Sequence, residues 1–184
     1  MTSEFMRNLL SKDEKITVEY KSCQYGIQED VYETVCSFSN RYGGYIIMGA
    51  EDDGTPIGVK QNMVKDMKRN FVNQLNNPDK MSPTLYLSIE DFEYEGKILL
   101  WVYVPPTATV EKCGNRIYDR NEDGDMDITD SPIQLQNMYN RKSTTYAEHK
   151  IFPYVTKDDL RLDLIQLQAH RSLPGAGGKL GLVR

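Results

Sequence analysis

The densest chemistry-bearing stretch of the chain is DRNEDGDMDITD, residues 119–130. Counted from Asp119, oxygen-bearing side chains stand at positions one, three, five and nine (Asp119, Asn121, Asp123, Asp127). Gly124 is at six, Asp130 at twelve, and Asp125 at seven would contribute its carbonyl. This is the ligand spacing of a calcium loop, because a hard cation collects about six to eight oxygens. Residues 111–130 hold seven Asp and Glu against three Lys and Arg, a repulsion that a bound ion would relieve. Two features favour a plain acidic hairpin turn instead. The twelfth position is Asp rather than the longer Glu, and the element entering the loop reads as a strand. In that case the carboxylates pair with Arg116 and Arg120, and Asp130 caps the following helix.

A second chemistry is cationic. Residues 60–80 hold five Lys and Arg against two Asp, in a chain whose formal charge is -5. Met63, Met67, Phe71 and Leu75 step by four, so this stretch reads as an amphipathic helix with Lys65, Lys68 and Arg69 outside the apolar stripe. Such a row is either a solvated helix face or a grip on phosphates. Arg116 and Arg120 flank a short strand, share one face if that strand is regular, and suit bidentate phosphate contact. Tyr42, Tyr45 and Tyr118 are candidate stacking surfaces, although the chain has twelve tyrosines.

The elements that position these groups follow from periodicity. Residues 16–21 (ITVEYK) alternate apolar and polar as a half-buried strand does. Val31, Val35 and Phe38 then mark a helix over 28–39, and YIIMGA at 45–50 reads as a strand buried on both faces. Gly43-Gly44 between that helix and strand allows either a tight turn or a close approach to phosphate. Two strand-like segments within 85–104 flank Glu95-Gly96, a hairpin signal. Residues 116–120 form a short strand, and Ser131-Pro132 opens a helix to about 141. Thr156 starts a last helix striped by Leu160, Leu164 and Leu167, followed by a glycine-rich tail. The expected fold class is α+β, a mixed sheet covered by helices. A single domain spans residues 10–142, a C-terminal helical extension 143–172 and a flexible tail 173–184.

Composition removes several classes. The only histidines are His149 and His170, so polyhistidine metal sites and most histidine catalysis are excluded. Three spaced cysteines, Cys23, Cys36 and Cys113, argue for packed thiols rather than disulfides or zinc. No apolar run approaches the roughly 18–20 residues that cross a bilayer, and the start of the chain is not a secretory signal, so a cytoplasmic protein is expected.

Three stretches, TVEYK at 17–21, VCSFSNRYGGYIIMGAEDDGTPIGV at 35–59 and RIYDRNEDGD at 116–125, together resemble the AlbA-type DNA-binding domain that bacterial transcriptional regulators share with Schlafen proteins. The family also carries the label divergent AAA, but no G-x-x-x-x-G-K-S/T occurs to hold ATP. The resemblance implies a nucleic-acid-binding module of a transcriptional regulator, with DNA or RNA as partner and no membrane. Lys21, Lys65, Lys68, Arg69, Arg116 and Arg120 are its candidate phosphate contacts. It implies an enzymatic alternative as well, because Schlafen-type domains that cleave RNA hold Mg or Mn on three acids, and Glu14, Glu19 and Asp52 occupy the similar places. Asp53 offers a second register, and Glu19 pairing with Lys21 is the structural account of the same residues. A third alternative is a protein-interaction module whose last helix mediates homo-oligomers or packs on a following domain.

Overall fold

The computed structural model describes residues 2–11 and 16–143, all within the unit Met1–Thr145. Glu14, His149, His170, the leucine-striped helix expected from Thr156 and the extension and tail boundaries lie outside the described residues. Helix α1 (Ser3–Leu10) opens the chain, with the Thr2 hydroxyl accepting the Phe5 N–H at 3.2 Å as its N-cap. Strand β1 (Val18–Lys21), helix α2 (Glu29–Asn40) and strand β2 (Gly44–Met48) then form a crossover unit, since β1 and β2 pair in parallel. Helix α3 (Val64–Leu75) follows, and the two-residue strand β3 (Met81–Ser82) pairs with β6 (Lys112–Cys113). Between them β4 (Ile89–Tyr94) and β5 (Lys97–Val104) make a hairpin, and β7 (Tyr118–Asn121) with β8 (Gly124–Asp127) makes another before helix α4 (Pro132–Ser143).

The main sheet runs β1-β2-β5-β4 and mixes parallel with antiparallel pairing, as the α+β reading expects. Strand β5 is apolar at nearly every position because both of its faces are covered. Leu100, Val102 and Val104 face the larger core with α2 and α3, whereas Leu99 faces a smaller one with Met6, Leu9 and Leu10 of α1. Helix α3 enters through Met67, Phe71 and Leu75, all buried, so its stripe meets the sheet as its spacing predicts. A third small cluster, Ile117, Ile128 and Met138, fixes α4 on the β7–β8 hairpin.

Turn chemistry agrees with the backbone. Glu95 and Gly96 both have positive φ (51° and 73°), the requirement of a two-residue type I′ hairpin turn. Gly43 has φ 73°, and a Cβ there would lie 2.5 Å from the Val104 carbonyl oxygen; one on Gly44 would lie 2.8 Å from the Phe38 ring. The Gly-Gly pair is therefore a tight packed turn, with protein rather than phosphate filling the space beside it. All three cysteines are buried free thiols.

Candidate nucleic-acid interface

Residues from three distant stretches meet behind β1. The Lys21 ammonium lies 2.8 Å from both a Glu19 oxygen and an Asp30 oxygen. The other Glu19 oxygen accepts from Arg120, whose guanidinium also reaches Asp125 at 2.7 Å and lies 4.9 Å from the Phe38 ring centroid. Asp125 in turn accepts from the hydroxyls of Thr34, at 2.6 Å, and Ser37. Burial works against the charge on Lys21 and Arg120, but the adjoining acids outweigh it and hold both above their ordinary pKa values. The Arg120 side chain is only 3% exposed. Lys21 and Arg120, two of the expected phosphate contacts, are both paired with carboxylates of the chain itself. Arg116 precedes β7, is solvent-facing and bonds Asp127 at 2.5 Å, on the face of the hairpin that also carries Asp125 and Arg120. The two arginines thus make the ion pairs with the acidic turn that the sequence offered as the alternative. Asp127 is held below the usual carboxylate range, first by the Thr129 hydroxyl and backbone N–H and then by Arg116.

The same hairpin sets where the oxygens of the expected calcium loop lie. In β7–β8, Asp125 stands opposite Arg120 and Asp127 opposite Tyr118, whereas Asp119 stands opposite Met126 and Asn121 opposite Gly124. Side chains alternate between faces of a strand, so Asp119 and Asn121 lie on one face and Asp125 and Asp127 on the other. Asp119 accepts from Arg41 and Arg141 at 3.3 and 3.0 Å, and Asn121 accepts the Asp123 N–H at 2.8 Å. Asp130 falls after β8, outside the pairing. Among the described residues no three acids, histidines or cysteines are placed to hold a metal ion. Of the carboxylate set Glu14, Glu19 and Asp52, Glu14 lies outside the described residues. Glu19 is engaged by Lys21 and Arg120, the structural account of that residue, and Asp52 is exposed in the turn after β2. Its neighbour Asp53 accepts from the Thr55 N–H at 2.8 Å.

The α3 row stays on the surface. Lys65 and Arg69 are exposed on the side away from Met67, Phe71 and Leu75, and Lys68 is half-buried at the edge of that stripe. Lys68 meets Asp91 of β4 at 2.5 Å and Arg69 meets Asp66 one turn earlier at 2.8 Å, while Lys65 has no ion pair among the described residues. Solvent-exposed pairs of this kind contribute roughly 0–1 kcal/mol, so a phosphate can displace their acids at little cost. Of the three tyrosines, only Tyr42 is open, 52% exposed with Arg41 over its ring. Tyr45 packs edge-on against Phe5, and Tyr118 is buried with its hydroxyl donating to Glu33.

The Schlafen, AlbA_2 family model matches residues 14–129, more than half of the chain and the span that carries every element from β1 to β8. The chain belongs to the Schlafen, AlbA_2 family. Similar solved structures include the N-terminal domain of an ATP-dependent DNA helicase RecG-related protein from Nitrosomonas europaea. It is 26% identical with a TM-score of 0.47, over 57% of this chain and 72% of that one. A protein from Corynebacterium diphtheriae is 16% identical with a TM-score of 0.48, over 68% of this chain and 30% of that one. No curated protein matches the sequence. Among the described residues of this AlbA_2 chain, no helix is long and apolar enough to cross a membrane.

One AlbA_2 feature escaped sequence reading. Helix α2 has no basic residue in its own last turn, yet two cations from α4 cover its end. Arg141 donates to the Asn40 carbonyl at 3.2 Å, and the Lys142 ammonium donates to the Ser39 and Thr107 carbonyls at 3.0 Å each. The only sequence signal was a pair of cations near the end of a helix, which does not say where they dock. Burial, opposed by the charge of Glu111, pushes Lys142 down to about 8. Below pH 8 the folded and unfolded chains both carry this proton. Between about 8 and the ordinary lysine value only the unfolded chain does, so this group makes folding more favourable as pH rises through that window. The expected contribution is on the order of a few kcal/mol. Urea unfolding at pH 7 and pH 10 checks it, since the gain with pH must be smaller in Lys142→Met than in the parent.

Proposed function

We propose that this AlbA_2 domain binds nucleic acid, DNA or RNA, through backbone phosphates, as the contact module of a transcriptional regulator. Family membership over residues 14–129 is the observation that carries the reading, and the α3 row gives it a surface. The chain as a whole is anionic, so contact has to be local, and Lys65, Lys68 and Arg69 form a cationic helix face free of buried structural duty. Their acidic neighbours Asp66 and Asp91 form only surface pairs. Nothing on this face resembles a helix aimed at base edges, which supports phosphate contact over sequence readout.

Replacing Lys65, Lys68 and Arg69 together by alanine is expected to weaken binding of a fluorescein-labelled single- or double-stranded oligonucleotide at least tenfold at about 50 mM salt. The melting temperature should change little, because exposed substitutions stay within about 0.5 kcal/mol. Anisotropy and thermal melts measure the two quantities. Unchanged affinity in the triple variant would remove α3 as the contact surface.

A further inference from the structure

Resting on the phosphate-contacting reading above, we infer that the cleft at the C-terminal ends of β1 and β2 accepts a guanine base. The cleft has a volume of about 550 Å³ and is lined by Ser22, Gln24, Tyr25, Gln28, Glu51 and Ile57, in the size range of small-molecule sites. It sits beyond the carboxyl ends of the two parallel strands, the position at which open α/β sheets take their ligands. The loop forming its wall is fixed from behind. Cys23 is buried with φ 39°, an uncommon backbone state for a non-glycine residue, and the Gln24 carbonyl accepts the Lys60 N–H at 3.0 Å.

What the wall presents selects the ligand. Neither the Glu51 carboxylate nor the Gln24 side-chain amide has a side-chain partner among the described residues. The Glu51 carboxylate on the wall disfavours a phosphate inside the cleft, whereas Glu29 and Asp30 at the start of α2 are paired with Lys80 and Lys21 and add little. A flat neutral ring with hydrogen-bond donors fits. Ile27 and Ile57 supply apolar surface, and Tyr25, 65% exposed at the rim, supplies a stacking platform. Guanine presents N1–H and the N2 amino group side by side, matching the two oxygens of one carboxylate. Adenine offers an acceptor where the second donor is needed, and would leave Glu51 facing a lone pair. The Lys60 ammonium lies 5.7 Å from the Tyr25 ring centroid, placed for the phosphate next to a stacked base, and the chain runs on from Lys60 into the α3 row.

The test uses the full chain and labelled ten-nucleotide uridine RNAs carrying one central guanine or one central adenine, with guanosine 5′-monophosphate as a second probe. The guanine RNA should bind about fivefold or more tightly than the adenine RNA. The ratio should fall to one in Glu51→Gln and in Tyr25→Ala, while both variants retain salt-dependent binding. Equal affinities in the parent chain would overturn the base site and leave the phosphate reading standing. Absence of binding to either RNA, and to DNA strands of the same length, would defeat the phosphate reading. In that event heat released by guanosine 5′-monophosphate, abolished by Glu51→Gln, would support the cleft as a free-nucleotide site, and no heat would overturn it too.

Discussion

Arg120→Met is expected to destabilise the fold by about 3–5 kcal/mol, the cost of removing one partner from a buried ion pair. The guanidinium bridges Glu19 of β1 and Asp125 of β8, so a single side chain joins the main sheet to the second hairpin. Without it two carboxylates remain in a region from which water is largely excluded, with Lys21 and two hydroxyls as their remaining partners. Methionine fills much of the volume and keeps a contact with Phe38, so the loss reports the ion network rather than a cavity. Urea unfolding measures it. The double variant Glu19→Gln with Arg120→Met should recover part of the loss, because one uncompensated charge is gone. A loss in Arg120→Met below 1 kcal/mol would mean that these carboxylates are solvated and the network is ornamental.

Asn40→Ala is expected to cost about 3 kcal/mol or more. The residue is 1% exposed, and its amide nitrogen donates to the Glu111 and Tyr118 carbonyls at 2.9 Å each while its oxygen accepts the Glu111 N–H at 2.8 Å. Truncation strands the Tyr118 carbonyl and the Glu111 N–H, each worth roughly 1–3 kcal/mol when buried unpaired, and leaves the Glu111 carbonyl with the Cys36 thiol as its donor. Asn40→Asp should be worse, since it turns the donor into a second acceptor against both carbonyls. Urea unfolding free energies within about 1 kcal/mol of the parent for both variants would show that the segment before β6 is held by other contacts.

Much of the fold was legible because local periodicity and tertiary burial agree. The β1–α2–β2 unit, α3 and the Glu95-Gly96 hairpin are each specified within a dozen residues by apolar spacing or by turn chemistry. Strand β8 was not, because Gly124–Asp127 carries almost no apolar signal and is held by its pairing with β7 and by Asp125. Helix α1 was overlooked although Met6, Leu9 and Leu10 have helical spacing, and Thr2 was its available cap. The site was harder to read than the fold. Arg120 looks like a phosphate contact until Glu19, 101 positions earlier, is brought beside it. The Asp119 series looks like a cation cage until strand alternation splits its oxygens between two faces. Charge spacing records which groups are present; partners distant in sequence decide whether they stay available. Lys65, Lys68 and Arg69 kept their outward face because their own helix, through Met67 and Phe71, sets it.

The most direct test of nucleic-acid binding at α3 is the salt dependence of affinity. The logarithm of the association constant for a labelled single strand should fall linearly with the logarithm of salt concentration. The slope should be shallower by about 2 in the Lys65→Ala, Lys68→Ala, Arg69→Ala variant than in the parent chain, three phosphate contacts at about 0.7 each on a single strand. Superimposable slopes for the two proteins, or binding by the parent that does not respond to salt, would contradict the account.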